Sequence, residues 1–126
     1  MGHGTVIGND VGIITQHDPD TVRGADIAVF LHPSWQGKPA PEGYIDEPAD
    51  LIVEVRSPSQ NWSMVLKKVG EYLAMGTRLV WVIDPQRQRV TVFSPDQEPI
   101  TYAAENELDG GEVLPGFRCR VAEFFE

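Results

Sequence analysis

From Asp26 to Leu31 the side chains alternate with period two. Ile27, Val29 and Leu31 fall on one side of an extended chain, and Asp26, Ala28 and Phe30 on the other. A strand is predicted in the stretch that opens at Thr21, with Asp26 at its start. His32 to Pro48 then holds four prolines and two glycines among polar residues, the pattern of a long surface loop. Asp50 to Arg56 is aliphatic between its ends, which predicts a buried strand. Ser57-Pro58-Ser59 stops that strand and supplies candidate caps for a following helix.

Between Trp62 and Leu73 the residues Trp62, Val65, Leu66, Val69, Tyr72 and Leu73 project onto one stripe at about 100° per residue, an amphipathic helix. Gly76 suits a left-handed C-terminal cap. Leu79 to Asp84 is again a continuous apolar strand closed by Pro85, and Arg89 to Phe93 alternates after a short polar turn. Strand, helix, strand implies a parallel crossover, and the hairpin adds an antiparallel neighbour, so the expected fold is α/β, a mixed β-sheet flanked by helix. Ile100 to Ala103 offers one more strand, and Val121 to Phe125 a docked helical turn. No internal repeat or low-complexity segment interrupts the chain.

A chain of 126 residues has room for one ordinary domain, expected over residues 1–126. Its hydrophobic and charged fractions, 41% and 23%, are those of globular proteins. No apolar run approaches the roughly 20 residues of a membrane helix, the N-terminus carries no secretory pattern, and one cysteine cannot form an internal disulfide. A cytoplasmic protein without membrane attachment is the expectation. The net charge of −9 argues against coating nucleic acid electrostatically. That charge is uneven, however: residues 1–50 hold two basic and eight acidic residues, residues 51–126 eight and eleven. Carboxylates are also what a divalent cation requires, and a local basic patch on an acidic protein still binds DNA.

The oddest residue is Glu54, a carboxylate inside Leu51-Ile-Val-Glu-Val55. An ionised group in a covered strand costs several kcal/mol unless a cation or donors meet it. Alternation sets Asp50, Ile52, Glu54 and Arg56 on one face and Leu51, Val53 and Val55 on the other. The plain alternative is a structural ion pair of Glu54 with Arg56 or a helix lysine. On the helix, Lys68 lies roughly 100° from the centre of the apolar stripe, within reach of the sheet, and Lys67 roughly 160° away, facing water. An ordinary boundary lysine that snorkels to solvent explains Lys68 equally well. His3, His17 and His32 are scattered without partners at ligand spacing, which predicts loop or surface roles. Cys119 has no nucleophile motif around it and reads as a spectator thiol, and neither a phosphate-binding glycine loop nor a nucleophile elbow is present.

Four stretches resemble the Uma family of restriction endonucleases, within the PD-(D/E)XK nuclease superfamily: Val22 to Ile27, Pro48 to Ser59, Lys68 with Tyr72 and Gly76, and Leu79 to Pro85. Gly116-Phe117 and Phe124-Phe125 extend the likeness to the end of the chain. The resemblance implies a restriction-endonuclease-like core and a metal-dependent endonuclease acting on DNA. It implies Asp26 and Glu54 as ligands of Mg²⁺, with Mn²⁺ as a substitute, and Lys68 as the third catalytic residue in place of the superfamily's lysine two positions after the glutamate. Arg56 stands at that vacated position, where it can bind phosphate but cannot act as a base. Family members carry Pro-Asp where this chain has Ala25-Asp26. They also begin with a further N-terminal region that this chain enters part-way, so the resemblance implies a fold short of one helix and an edge strand, completed in a homodimer. A catalytically inactive interaction module that keeps the carboxylates as ion pairs is the competing expectation, and Asp50 is a secondary site candidate.

Overall fold

The computed structural model describes the backbone of residues 5–16, 21–31 and 48–126, and side chains within 26–31 and 48–126. Six strands form one sheet in the order β1 (Thr5–Gln16), β2 (Thr21–Phe30), β3 (Leu51–Val55), β4 (Leu79–Asp84), β5 (Arg89–Ser94) and β6 (Gln97–Tyr102). Helix α1 (Trp62–Met75) connects β3 to β4, and those two strands are parallel with Ile52 opposite Val80 and Glu54 opposite Val82. Every other neighbouring pair in this sheet is antiparallel. The expected mixed sheet with one crossover helix is therefore the observed architecture, and β6 lies where the extra strand was expected.

The Ile52 side of the sheet packs on α1, joining Ala28, Ile52, Val80 and Val82 to Val65, Val69 and Tyr72. The opposite side joins Val29, Leu51, Val53 and Trp81 to Leu108, Val113 and Val121. Leu108 lies on β7 (Glu107–Gly110), which pairs with β8 (Leu114–Arg120) in a two-stranded sheet, Val113 lies in the turn between them, and Val121 opens a closing 3-10 turn, Val121–Phe125. The sheet is thus covered on both faces, which is why β3 and β4 read as unbroken apolar runs. Each large side chain fully buried in these layers contributes about 1.5–3 kcal/mol of transfer free energy.

Three sequence expectations need correction. Asp26 is not at the start of its strand, because β2 begins at Thr21 and is paired with β1 along almost its whole length. The first strand itself, β1, carries too many glycines and polar residues to show a clear period. Neither Ser57 nor Ser59 caps α1: Asn61 is the cap, its side-chain oxygen accepting the Met64 N–H at 2.9 Å, because the cap must directly precede Trp62. Ser57 and Ser59 bond to each other at 3.1 Å. Leu66 projects onto the apolar stripe yet is 48% exposed, since only Val65, Val69 and Tyr72 of that stripe reach full burial against the sheet.

Gly76 takes the predicted role. Its φ of 120° lies in the left-handed region, and its N–H donates to the carbonyl of Leu73. The expected loop, His32 to Pro48, and the three histidines lie outside the described residues, apart from Pro48.

Candidate active site

Register brings the two carboxylates together. In the antiparallel pair of β2 and β3, Ile27 faces Val53 and Ala28 faces Ile52. One residue further along the same register, Asp26 opposes Glu54, on the sheet face that carries Ala28 and Ile52 and is covered by α1. Beyond Ile27 the backbone pairing gives way to a side-chain bond: the Val55 N–H donates to Asp26 Oδ2 at 2.7 Å. Asp26 thereby holds the end of β3 to β2. A carboxylate that accepts one N–H keeps further lone pairs for a cation.

Glu54 is buried, with 6% exposure. Lys68 Nζ donates to its Oε1 at 2.7 Å, and the Tyr72 hydroxyl lies 3.4 Å from Oε2. Tyr72 is fully buried, and Lys68 precedes it by four residues, so both side chains lie on the sheet-facing side of α1. Lys67 is exposed. Burial pushes the Glu54 carboxyl above its ordinary value. The Lys68 hydrogen bond and charge oppose that shift, the Asp26 charge adds to it, and a backbone hydrogen bond from Asp26 again lowers it.

The remaining candidates lie elsewhere. Asp50 is at the far end of β3, where Oδ2 accepts the Leu31 N–H at 2.7 Å and Oδ1 lies 3.8 Å from Arg78. It ties β3 to the end of β2 and stands apart from Asp26. Arg56 leaves β3 toward β4. Its guanidinium lies 3.7 Å from Asp84 and 5.3 Å over the Trp62 ring. Cys119, on β8, is half-buried in the second sheet, and burial together with Glu123 and Glu107 pushes its thiol up. A raised thiol is a poor nucleophile, consistent with a spectator.

Sequence reasoning missed two partners here. Tyr72 reads as a core aromatic, and only its spacing of four from Lys68 hints that its hydroxyl turns toward Glu54. Asp84 closes an apolar strand and shares the parity of Val80 and Val82, which places it on the helix face. There it is buried at 3% exposure between Arg56 and Arg87.

Among the described residues no three His, Cys, Asp or Glu side chains converge on one point. Two carboxylates and no soft donor fit Mg²⁺, which binds through one or two carboxylates and completes its shell with water and substrate phosphate. Asp26, Glu54 and Lys68 together carry one net negative charge when ionised, a balance that favours a divalent cation.

Comparison with known proteins agrees with this architecture. The sequence matches the Uma2 family, described as "Putative restriction endonuclease", over residues 1–122. The fold is similar to that of a protein from Anabaena variabilis ATCC 29413, whose crystal structure is titled as that of "a putative nuclease belonging to DUF820". The two superpose with a TM-score of 0.77 at 24% identity, over 98% of this chain and 68% of the other. No curated protein matches the sequence. No helix among the described residues is long and apolar enough to cross a membrane.

Proposed function

Since the chain belongs to the Uma2 family, we propose that it is a metal-dependent endonuclease hydrolysing phosphodiester bonds of DNA, with Asp26 and Glu54 as metal ligands and Lys68 as the third catalytic residue. The observation that carries this reading is the meeting of three charged groups from three elements on one sheet face. Asp26 comes from β2, Glu54 from β3 directly opposite, and Lys68 from α1 at 2.7 Å. An expensive arrangement of buried charge is retained at functional sites more often than it is needed for stability.

Bound Mg²⁺ supplies a polarised phosphoryl oxygen and a water of lowered pKa. The protein's own groups do the rest. Asp26 is fixed in direction by the Val55 N–H, and Glu54 by Lys68 and Tyr72, so both ligands stay in place without a cation. Lys68 donates to Glu54 and places its positive charge beside the two carboxylates, where it would stabilise negative charge on the attacked phosphate. Because Glu54 is pushed up by burial, protons compete with the cation for it, and metal affinity falls as pH falls through its raised pKa.

Titrating Mn²⁺ into the wild type by calorimetry at low salt tests the reading. Saturable binding is expected, lost in Glu54→Gln and in Asp26→Asn, followed by Mg²⁺-dependent nicking of a plasmid by the wild type alone. The second reading, an inactive interaction module, is favoured by the fact that Lys68 already neutralises Glu54. A folded wild type that binds no Mn²⁺ would overturn the nuclease site and leave the module.

A further inference from the structure

Three residue pairs join β2 to β3: Ile27 with Val53, Ala28 with Ile52 and Val29 with Leu51. All six side chains are aliphatic. Alternation decides which face each turns to the helix, but a slip of two residues keeps every one of them on its own face. Such a slip would carry Glu54 opposite Ala28 or Gly24 instead of Asp26. The apolar pattern therefore selects the face and leaves the register to something else.

What singles out the observed register lies at the two ends of this ladder. At one end Asp26, from β2, accepts the Val55 N–H at 2.7 Å. At the other end Asp50, directly before β3, accepts the Leu31 N–H through Oδ2 at 2.7 Å, and its own N–H donates to the Val29 carbonyl at 2.9 Å. Each strand thus grips the other with a carboxylate, the stronger kind of acceptor for an amide. A slip of two residues would break both grips at once.

Asp50 is too far away to share a cation with Asp26 and Glu54. Four residues along a strand span roughly 13 Å, whereas Mg²⁺ holds its oxygens at about 2.1 Å. Its ion pair does not account for it either, because the Arg78 guanidinium is half exposed and 3.8 Å from Oδ1, and such pairs contribute little.

We propose that Asp50 is a positioning residue: by clasping Leu31 it fixes the register in which Asp26 faces Glu54. The proposal rests on the nuclease reading for what that pair of carboxylates does, and adds how the pair is kept in line from the far end of the ladder. Asp50 touches neither cation nor substrate and acts through the strands alone.

Amide hydrogen exchange of the whole chain, followed residue by residue by NMR without metal, tests it together with Mn²⁺ calorimetry. In Asp50→Ala exchange is expected to quicken about tenfold or more at Leu31, which loses its acceptor, and also at Val55, at the opposite end of the ladder. Mn²⁺ affinity should fall about tenfold, as it does when supports behind metal ligands are removed. Asp50→Asn keeps an oxygen acceptor without the charge, and should restore both Val55 protection and Mn²⁺ affinity to within about threefold of the wild type. Faster exchange at Leu31 alone, with Val55 and Mn²⁺ affinity unchanged, would overturn the proposal and leave Asp50 a local strut. Equal losses in the Asn and Ala variants would overturn it too, by showing that charge and not the acceptor matters. If Asp50→Ala does not fold, the wild type in low urea carries the test: Leu31 and Val55 should open together with one dependence on urea, and separate openings would sink the clasp. A wild type that binds no Mn²⁺ while Val55 responds to Asp50 would sustain the clasp and overturn the metal site. Mn²⁺ binding with Val55 indifferent to Asp50 would do the reverse.

Discussion

Strand β3 separates two unlike halves of the molecule. On one side Leu51 and Val53 meet Trp81, Leu108 and Val121 in an apolar layer, with Phe117 5.5 Å from the Trp81 ring and Phe124 6.5 Å from it. On the other side Ile52 packs against α1 in the same manner, but Glu54 follows it, and Asp84 stands on the neighbouring strand. These are the buried carboxylates among the described residues, and both are on the helix side. The contrast teaches what a buried acid requires. Each is met by cations, Lys68 for Glu54 and Arg56 with Arg87 for Asp84, whereas the opposite layer is held by area and shape alone. Stability from the apolar layer is insensitive to pH. The helix side has a stability that depends on protonation, and it holds the groups able to do chemistry.

The largest test of that division is Trp81→Ala. Removing a core aromatic should cost about 3–5 kcal/mol of unfolding free energy, equally at pH 5 and pH 8, measured by urea denaturation. A marked pH dependence of that loss would break the comparison. Next comes Lys68→Met, which leaves Glu54 buried without its cation and should cost about 3 kcal/mol at neutral pH. The sign of its pH dependence follows from linkage. The folded pKa of Glu54 is already raised above its ordinary 4.5, so the proton stabilises the folded state, fully below the unfolded pKa and less as pH rises through the folded one. Without Lys68 that folded pKa climbs further, so the cost should shrink as the solution is acidified. A constant cost would mean that Lys68 acts by packing. The smallest effect belongs to Tyr72→Phe, about 1 kcal/mol for a long hydrogen bond, with Mn²⁺ affinity weakened more than stability if the hydroxyl orients Glu54.

Much of this division is legible in the residues. Continuous aliphatic runs announce β3 and β4, and the stripe on α1 announces which helix face they meet. Glu54 stands out because nothing else in its strand is charged, and parity alone assigns it to the side of Ile52. Other features depend on distances no local pattern contains. The pairing of Asp26 with Glu54 needs the β2–β3 register, and the destination of Arg56 needs the parallel register of β3 and β4 together with the seat of Trp62. Tyr72 hides its hydroxyl behind an aromatic that fits the apolar stripe. Strands β7 and β8 escape because Gly110, Gly111, Pro115 and Gly116 punctuate them like a loop. Gly110 lies so close to Leu114 that a side chain there would collide with it, so the glycine serves a turn within a sheet.

The bond from the Val55 N–H to Asp26 also bears on the order in which the molecule assembles. It joins residues 29 apart in sequence, whereas Lys68 and Glu54 are separated by 14. Closing a wide span costs more chain entropy before any contact rewards it, and a fold's rate of formation falls as such contacts come to dominate. The turns from β4 to β6 and from β7 to β8 are local by comparison. Doubling the span, as from 14 residues to 29, adds about 0.6 kcal/mol of closure cost, so the Asp26 bond asks more of the chain than the Lys68 one.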